Sequence, residues 1–202
     1  MCIRDSPITA HAAGVYYAAS DVLDLPQFSL ATPTSHVQAS GTLSSDSALH
    51  FSVSTSSLAD WLPFVAAVRG PALLPVVLNG RASFNGNLNG ALPSPQLAGT
   101  LLVDDFEVNV PATANTPRVQ SQWDSLSTSI QLSFHSVAFH SATLRRGGAL
   151  AEFDASASLQ NGHLTSESVF NVRANLHEVD IAALQAIAGY NYPCLLYTSR
   201  CV

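Results

Sequence analysis

The stretch Val76–Val103 constrains this chain more than any other. Val76, Leu78, Gly80, Ala82, Phe84, Gly86, Leu88 and Gly90 alternate with Asn79, Arg81, Ser83, Asn85, Asn87 and Asn89. Successive side chains of a β-strand point to opposite faces, so a period of two sorts these residues into one apolar and one polar face. The run outlasts the roughly 5–6 residues of an ordinary strand. It predicts a long sheet with one apolar face, and what covers that face decides what the protein does.

The same alternation recurs along the chain. Val37, Ala39, Gly41 and Leu43 form one apolar set, and Leu49, Phe51 and Val53 form the next. After the Pro93-Ser94-Pro95 connection, Leu97, Gly99, Leu101 and Val103 continue it. At Asp104-Asp105 the phase changes to Phe106, Val108 and Val110, which reads as a turn or a β-bulge. Ile130, Leu132 and Phe134 alternate until a second phase change ahead of Val137 and Phe139. Phe153, Ala155, Ala157 and Leu159 lead to Asn161-Gly162, a hairpin signal. Phe170, Val172 and Ala174 make the last strand. Near the start, a strand about Gly14–Ala18 opens a segment that ends near Pro26. Pro111–Pro117 reads as a loop and Gly147-Gly148 as a turn. Two short helices interrupt the strands. One lies within Leu58–Val68, capped by Ser57 or Asp60 and ended by Gly70; the other runs from Asp180 through Ala188 and closes at Gly189. The fold class expected is mainly β, an elongated antiparallel sheet with two short helices.

An internal echo suggests repetition. Phe51-Ser52-Val53 through Gly70 aligns without gaps on Phe170-Asn171-Val172 through Gly189, an offset of 119 residues. Just upstream, Val37 to Leu43 matches Phe153 to Leu159 at an offset of 116. The repeat is placed at 14–70 and 130–189. A repeat of strands and a helix predicts a stacked, elongated architecture.

The two ends stand apart. Met1-Cys2-Ile3-Arg4-Asp5-Ser6 is what a sequencing-transposon end encodes when read from its ATG, and Cys194-Leu195-Leu196-Tyr197-Thr198-Ser199 is the translation of its reverse complement. Met1–Ser6 and Cys194–Val202 are therefore expected to be library scars, leaving 7–193 as the genuine segment. All three cysteines and the only methionine fall in these ends. The segment between offers no thiol for a disulfide, a nucleophile or a Cys-ligated zinc.

Composition narrows the function classes. There is no lysine, and without the terminal Arg4, Arg200 and Asp5 six basic and thirteen acidic residues remain. With no basic patch beyond Arg145-Arg146, nucleic-acid binding is not expected. Charged residues are 11% of the chain, against roughly 25% in ordinary soluble domains. Ser, Thr, Asn and Gln carry the polarity instead, which suits an envelope or extracytoplasmic protein. No apolar run reaches the roughly 20 residues of a spanning helix.

Gly86-Asn87-Leu88-Asn89-Gly90, four residues, then Pro95-Gln96-Leu97-Ala98-Gly99-Thr100-Leu101 resembles the recurring G-x-L-x-G-x4-P-x-L-x-G-x-L signature of the AsmA-like family, nearest its TamB branch, the inner-membrane subunit of the translocation and assembly module. Leu58-Ala59-Asp60-Trp61-Leu62-Pro63 and Val179-Asp180-Ile181-Ala182-Ala183-Leu184 resemble the short helices between sheets of that family. The likeness covers most of 7–193. It implies a U-shaped, curved repeating β-groove with a hydrophobic floor, a periplasmic location, and bridge-like transport of phospholipids in outer-membrane biogenesis. It also implies a parent protein anchored in the inner membrane with an outer-membrane β-barrel partner. The anchor and the partner-binding region are expected to lie outside this segment.

The groove lining expected is Val76, Leu78, Phe84, Leu88, Leu101, Val103, Phe106, Val108, Ile130, Leu132, Phe134, Phe153, Phe170 and Val172. No catalytic residue, metal or cofactor is expected. His135 and His140, five apart, read as outward histidines rather than a metal site unless a phase shift reunites them. Asp104, Asp105 and Glu107 read as a solvated strand end rather than paired acids or a calcium site. Trp61 and Trp123 read as packing anchors, and Arg145-Arg146 as an exposed turn. No Gly-x-Ser-x-Gly elbow and no phosphate loop occurs. Two rivals remain: a structural or adhesive cell-surface β-solenoid with a filled interior, and a carbohydrate-active β-sandwich, which would need two carboxylates across a cleft. The apolar set would also be ordinary core if a second layer or the helices covered it.

Overall fold

The computed structural model describes residues 8–61, 77–91, 93–110 and 119–178. They form one antiparallel sheet in which strand follows strand in sequence order: β1 (Thr9–Tyr17), β2 (Val22–Ala31), β3 (Ser35–Leu43), β4 (Ser47–Thr55), β5 (Val77–Gly90), β6 (Gln96–Val110), β7 (Val119–Leu132), β8 (Ser136–Arg146), β9 (Ala149–Ser158) and β10 (Phe170–His177). β1 and β10 are the two edges and do not pair, so the sheet is not closed into a barrel. Ten strands spaced by about 4.8 Å make a sheet about 43 Å across. The 14 residues of β5 run about 46 Å at roughly 3.3 Å per residue.

Antiparallel partners share a face, so the registers show whether the apolar sets align. They do, in one unbroken row through all ten strands: Ala12, Phe28, Ala39, Phe51, Gly86, Gly99, Ile130, Phe139, Ala155 and Val172. A neighbouring row runs Leu25, Gly41, Leu49, Leu88, Leu97, Leu132, Val137, Ala157 and Phe170. The reverse face carries rows such as Gln38, Ser52, Asn85, Thr100 and Ser129.

Rows this long survive only because β2, β6 and β8 each carry an extra residue that restores the phase. In β2 the extra residue lies around Pro26, between the pairs Leu25↔Gly41 and Phe28↔Ala39. Proline is tolerated at a bulge, so Pro26 interrupts the strand's phase without ending the strand as the sequence suggested. In β6 the extra residue is at Asp105, whose φ is 48°. Gly80 sits opposite with φ 136°, and a Cβ there would lie 2.7 Å from Phe106 Cβ. β7 follows the same kink, with Asp105 and Asp124 dropping out of the ladder between Asp104↔Ser125 and Phe106↔Trp123. In β8 the bulge is at His140-Ser141, where Ser141 has φ 50°. The Ser141 N–H donates to Asp154 Oδ1 at 2.9 Å, and Thr128 Oγ1 donates to the His140 carbonyl at 3.3 Å. A further phase change, not read from the sequence, therefore lies at Ser141. The irregularity read ahead of Val137 is the turn between β7 and β8, and it holds Phe134.

Neither expected helix falls fully within the described residues. Of Leu58–Val68 the described part is a single 3-10 turn, Leu58–Trp61, and the rest, like Asp180–Ala188, lies outside the described residues. The Pro111–Pro117 loop lies outside them too. Asn161-Gly162 does form a tight turn, but it closes an isolated bridge, Gln160↔His163, within the connection from β9 to β10.

The glycines of the signature have a packing role. A Cβ on Gly99 would meet Phe84 Cζ at 2.5 Å, and one on Gly86 would meet Phe84 Cε1 at 2.6 Å. Gly86 and Gly99 are paired, so together they leave a bare patch of backbone on which the Phe84 ring lies. Phe51 packs beside it, with ring centroids 5.4 Å apart and planes tilted by 31°, a contact worth about 0.5–1.5 kcal/mol beyond area burial. Gly99→Val should lift that ring and cost about 1–3 kcal/mol, the usual penalty of overpacking. Urea denaturation measures this; an unchanged midpoint would show that the ring does not depend on the glycine seat.

Candidate functional site

The apolar face is the one feature that extends across the whole sheet. Each strand contacts its sequence neighbours, and among the described residues the one other substantial contact between elements is that of the 3-10 turn with β5. The turn is fastened by a relay of hydrogen bonds over the end of the face. Trp61 Nε1–H donates to Ser35 Oγ at 3.0 Å, Ser35 Oγ–H donates to Thr55 Oγ1 at 2.9 Å, and Thr55 Oγ1–H donates to the Ser57 carbonyl at 3.0 Å. Ser35 and Thr55 are buried, and the relay gives each hydroxyl a partner. Asp60 adds a bond from Thr34 Oγ1 at 2.8 Å.

Beneath this turn lies the one compact apolar cluster among the described residues. Val103, Phe106 and Trp123 are buried and packed by Leu58, Ala82, Leu101, Val108, Leu126 and Leu144. Trp123 is 4% exposed. The Arg146 guanidinium lies over its ring, 5.9 Å from the centroid, and reaches Ser121 Oγ at 3.4 Å. Arg145 and Arg146 are both exposed, as expected, but they end β8 ahead of the Gly147-Gly148 turn, and Arg146 stacks over Trp123.

Away from the turn the face opens. Leu132 is 39% exposed, Phe170 62% and Val172 72%. The largest side chain that is completely buried among the described residues is that of Ser47. A sheet packed under a second layer would bury large aliphatic and aromatic residues instead. A shallow pocket of about 370 Å³ sits where the turn meets the face, lined by Ile8, Leu30, Val37 and Trp61 among others.

The expected lining residues distribute as follows. Phe84, Leu88, Leu101, Ile130, Leu132, Phe153, Phe170 and Val172 share the face and are partly or largely exposed. Val103 and Phe106 share it too, but they are buried beneath Leu58 and are not free lining, while Val108 packs at the margin of that cluster. Leu78 lies in β5 with its backbone paired to Val108. Phe134 is in the β7–β8 turn, 40% exposed, with its carbonyl accepting from Gly162 N–H at 2.9 Å, so it is not a strand residue. Val76 lies outside the described residues. Residues absent from the expected set but on the same face include Leu30, Val37, Phe51, Val53, Leu126 and Phe139. Alternation alone identified Val37, Phe51, Val53 and Phe139 as apolar sets; Leu30 and Leu126 it did not single out.

The polar constellations resolve into pairings. Asp105 forms an ion pair with Arg81, and Glu107 accepts from Gln120 Nε2, so neither acid is poised with Asp104. His140 Nδ1 lies 3.8 Å from Asp154 Oδ1 beside the β8 bulge, while His135 is in the β7–β8 turn. His50 Nδ1 and Asn87 Oδ1 are 3.0 Å apart on the reverse face. At the β1 edge, Tyr16 donates to Asp21 Oδ1 at 2.7 Å, and that hydrogen bond to a carboxylate raises the pKa of the phenol. Among the described residues no group of three or more His, Cys, Asp or Glu could hold a metal ion, and no helix is long and apolar enough to cross a membrane.

No protein-family model, no curated protein and no solved structure matches the chain.

An open apolar face should bind an environment-sensitive dye in the native state. We expect ANS fluorescence to rise with folded protein, to fall with Leu132→Glu, and to be unchanged by Asn87→Glu on the reverse face. Equal effects of the two substitutions would mean that the dye does not read this face.

Proposed function

We propose that the apolar face shields phospholipid acyl chains, and that the chain is a non-enzymatic segment of a periplasmic, AsmA/TamB-like protein that moves lipid between membranes. The observation that carries this reading is the unbroken apolar row through ten strands with no second layer over it among the described residues. An acyl chain loses roughly 0.8 kcal/mol per methylene on leaving water for such a surface, so a 16-carbon tail avoids on the order of 10 kcal/mol of exposure. Head groups stay in water, so no dedicated polar pocket is required. The signature Gly86-Asn87-Leu88-Asn89-Gly90 with Pro95-Gln96-Leu97-Ala98-Gly99-Thr100-Leu101 supports the family.

In this reading the sheet curls about its apolar side into a groove. The phase-restoring bulges at Pro26, Asp105 and Ser141 serve it directly, since bulges bend a strand and sharpen its twist. The repeat at 14–70 and 130–189 extends the groove along the protein. A scaffold or adhesin reading needs a filled interior, and the meander, in which every strand pairs with its sequence neighbours, encloses none among the described residues.

Native mass spectrometry of the full chain, with lipid extraction from the purified protein, tests this. Wild type should retain masses of phospholipid, and Leu132→Glu should lower occupancy by about tenfold or more, because an unpaired carboxylate against acyl chains costs more than about 1.4 kcal/mol. Asn87→Glu should retain the lipid. Lipid-free wild type, or equal loss in both variants, would contradict the proposal.

A further inference from the structure

We propose that the edge of β10, which pairs with no further strand among the described residues, is the seat of an extended strand carrying the alternation of β5, a docking site independent of the lipid reading. The backbone shows which groups are offered. The Ser158 N–H donates to the Val169 carbonyl at 3.0 Å, and the ladder from Phe170↔Ala157 to His177↔Leu150 runs without a register shift. Hydrogen-bonded and non-bonded pairs alternate in an antiparallel ladder. Asn171, Arg173 and Asn175 therefore turn their backbone groups to β9, while Phe170, Val172, Ala174 and Leu176 present theirs to the open edge. Edges that are meant to stay free are usually short, or carry proline, bulges or several charges. β10, with 8 residues, is the shortest strand of this sheet, but it carries no proline and no bulge, and Arg173 is its only charge from Phe170 to Leu176.

The occupant is specified by the strand that lies six earlier. β2 and β8 are both bulged, β3 and β9 follow with matching alternation, and β4 and β10 share Phe51-Ser52-Val53 and Phe170-Asn171-Val172. In β4 the Ser56 N–H donates to the Thr34 carbonyl at 2.8 Å. The same alternation then turns Phe51, Val53 and Thr55 toward β5. There Phe51 faces Gly86, Val53 faces Phe84 and Ser54 faces Ser83. A strand seated on β10 in the same manner sets a glycine opposite Phe170, an aromatic ring opposite Val172, and a side chain with a hydrogen-bond acceptor opposite Arg173. Phe170 and Val172, the most exposed apolar residues of β10, would then become half-buried, as Phe51 and Val53 are.

A synthetic peptide of residues 77–90 added to the full chain tests the seat, read residue by residue by amide hydrogen exchange. Exchange at Val172, Ala174 and Leu176 should slow by about tenfold or more at saturating peptide, with β1 amides unchanged. A peptide with Gly86→Val should not dock, since its side chain fills the space facing Phe170. Val172→Pro, which removes an outward N–H and leaves the β9 ladder intact, should abolish the effect while circular dichroism stays that of wild type. Absence of slowing, equal slowing by the Gly86→Val peptide, or slowing that grows with protein concentration in the absence of peptide would overturn the proposal, the last in favour of a second copy on this edge. No lipid enters the measurement, so its outcome is separate from that of the lipid test.

Discussion

The structure depends on keeping side-chain phase across long strands. A strand has a strict period of two, and one extra residue moves every later side chain to the other face. β6 is 15 residues long and contains the apolar sets Leu97–Val103 and Phe106–Val108, which lie on opposite parities. Without the Asp105 bulge one of these sets would stand among Asn79, Arg81 and Gln122 in water. The left-handed backbone at Asp105 and Ser141, the glycine at position 80, and the Thr128 and Asp154 hydrogen bonds at the β8 bulge all serve that correction.

One consequence is a sheet whose stabilisation comes from neighbours within a single layer. Cross-strand pairs contribute roughly 0.2–1 kcal/mol each, and the sheet has many of them. The remaining contribution is concentrated where Leu58 closes over Val103, Phe106 and Trp123. The hydroxyl relay from Trp61 to Ser57 is therefore more than a polar detail. It fixes a covering over one end of the face, while Leu132 and Phe170 toward the other end stay 39% and 62% exposed.

Much of this was legible in the sequence, because alternation is a local signal that needs no tertiary partner. The long β5 run, the apolar set of each central strand, and the phase change at Asp104-Asp105 can all be read directly. Other features cannot. Ser141 is small and polar on either face, so the alternation around it does not reveal an extra residue, and only the change at the turn ahead of Val137 was read. Phe134 continued a parity that the chain had already abandoned at Leu132. Pro26 resembled a terminus because proline has no N–H to donate, yet a bulge does not require that donor. The glycines at 86 and 99 looked like punctuation. Their function, a patch of backbone for the Phe84 ring, involves two strands and emerges only from the register.

The central claim is that one face of a single-layer sheet is open to acyl chains. Photo-crosslinking along β7 tests it most directly, with benzoylphenylalanine placed singly from Ser129 to Leu132 in the presence of phospholipid. The account predicts lipid adducts at Ile130 and Leu132 and none at Ser129 and Gln131. Adducts at all four positions, at none, or crosslinks from Ile130 and Leu132 to another protein layer instead of lipid would contradict it.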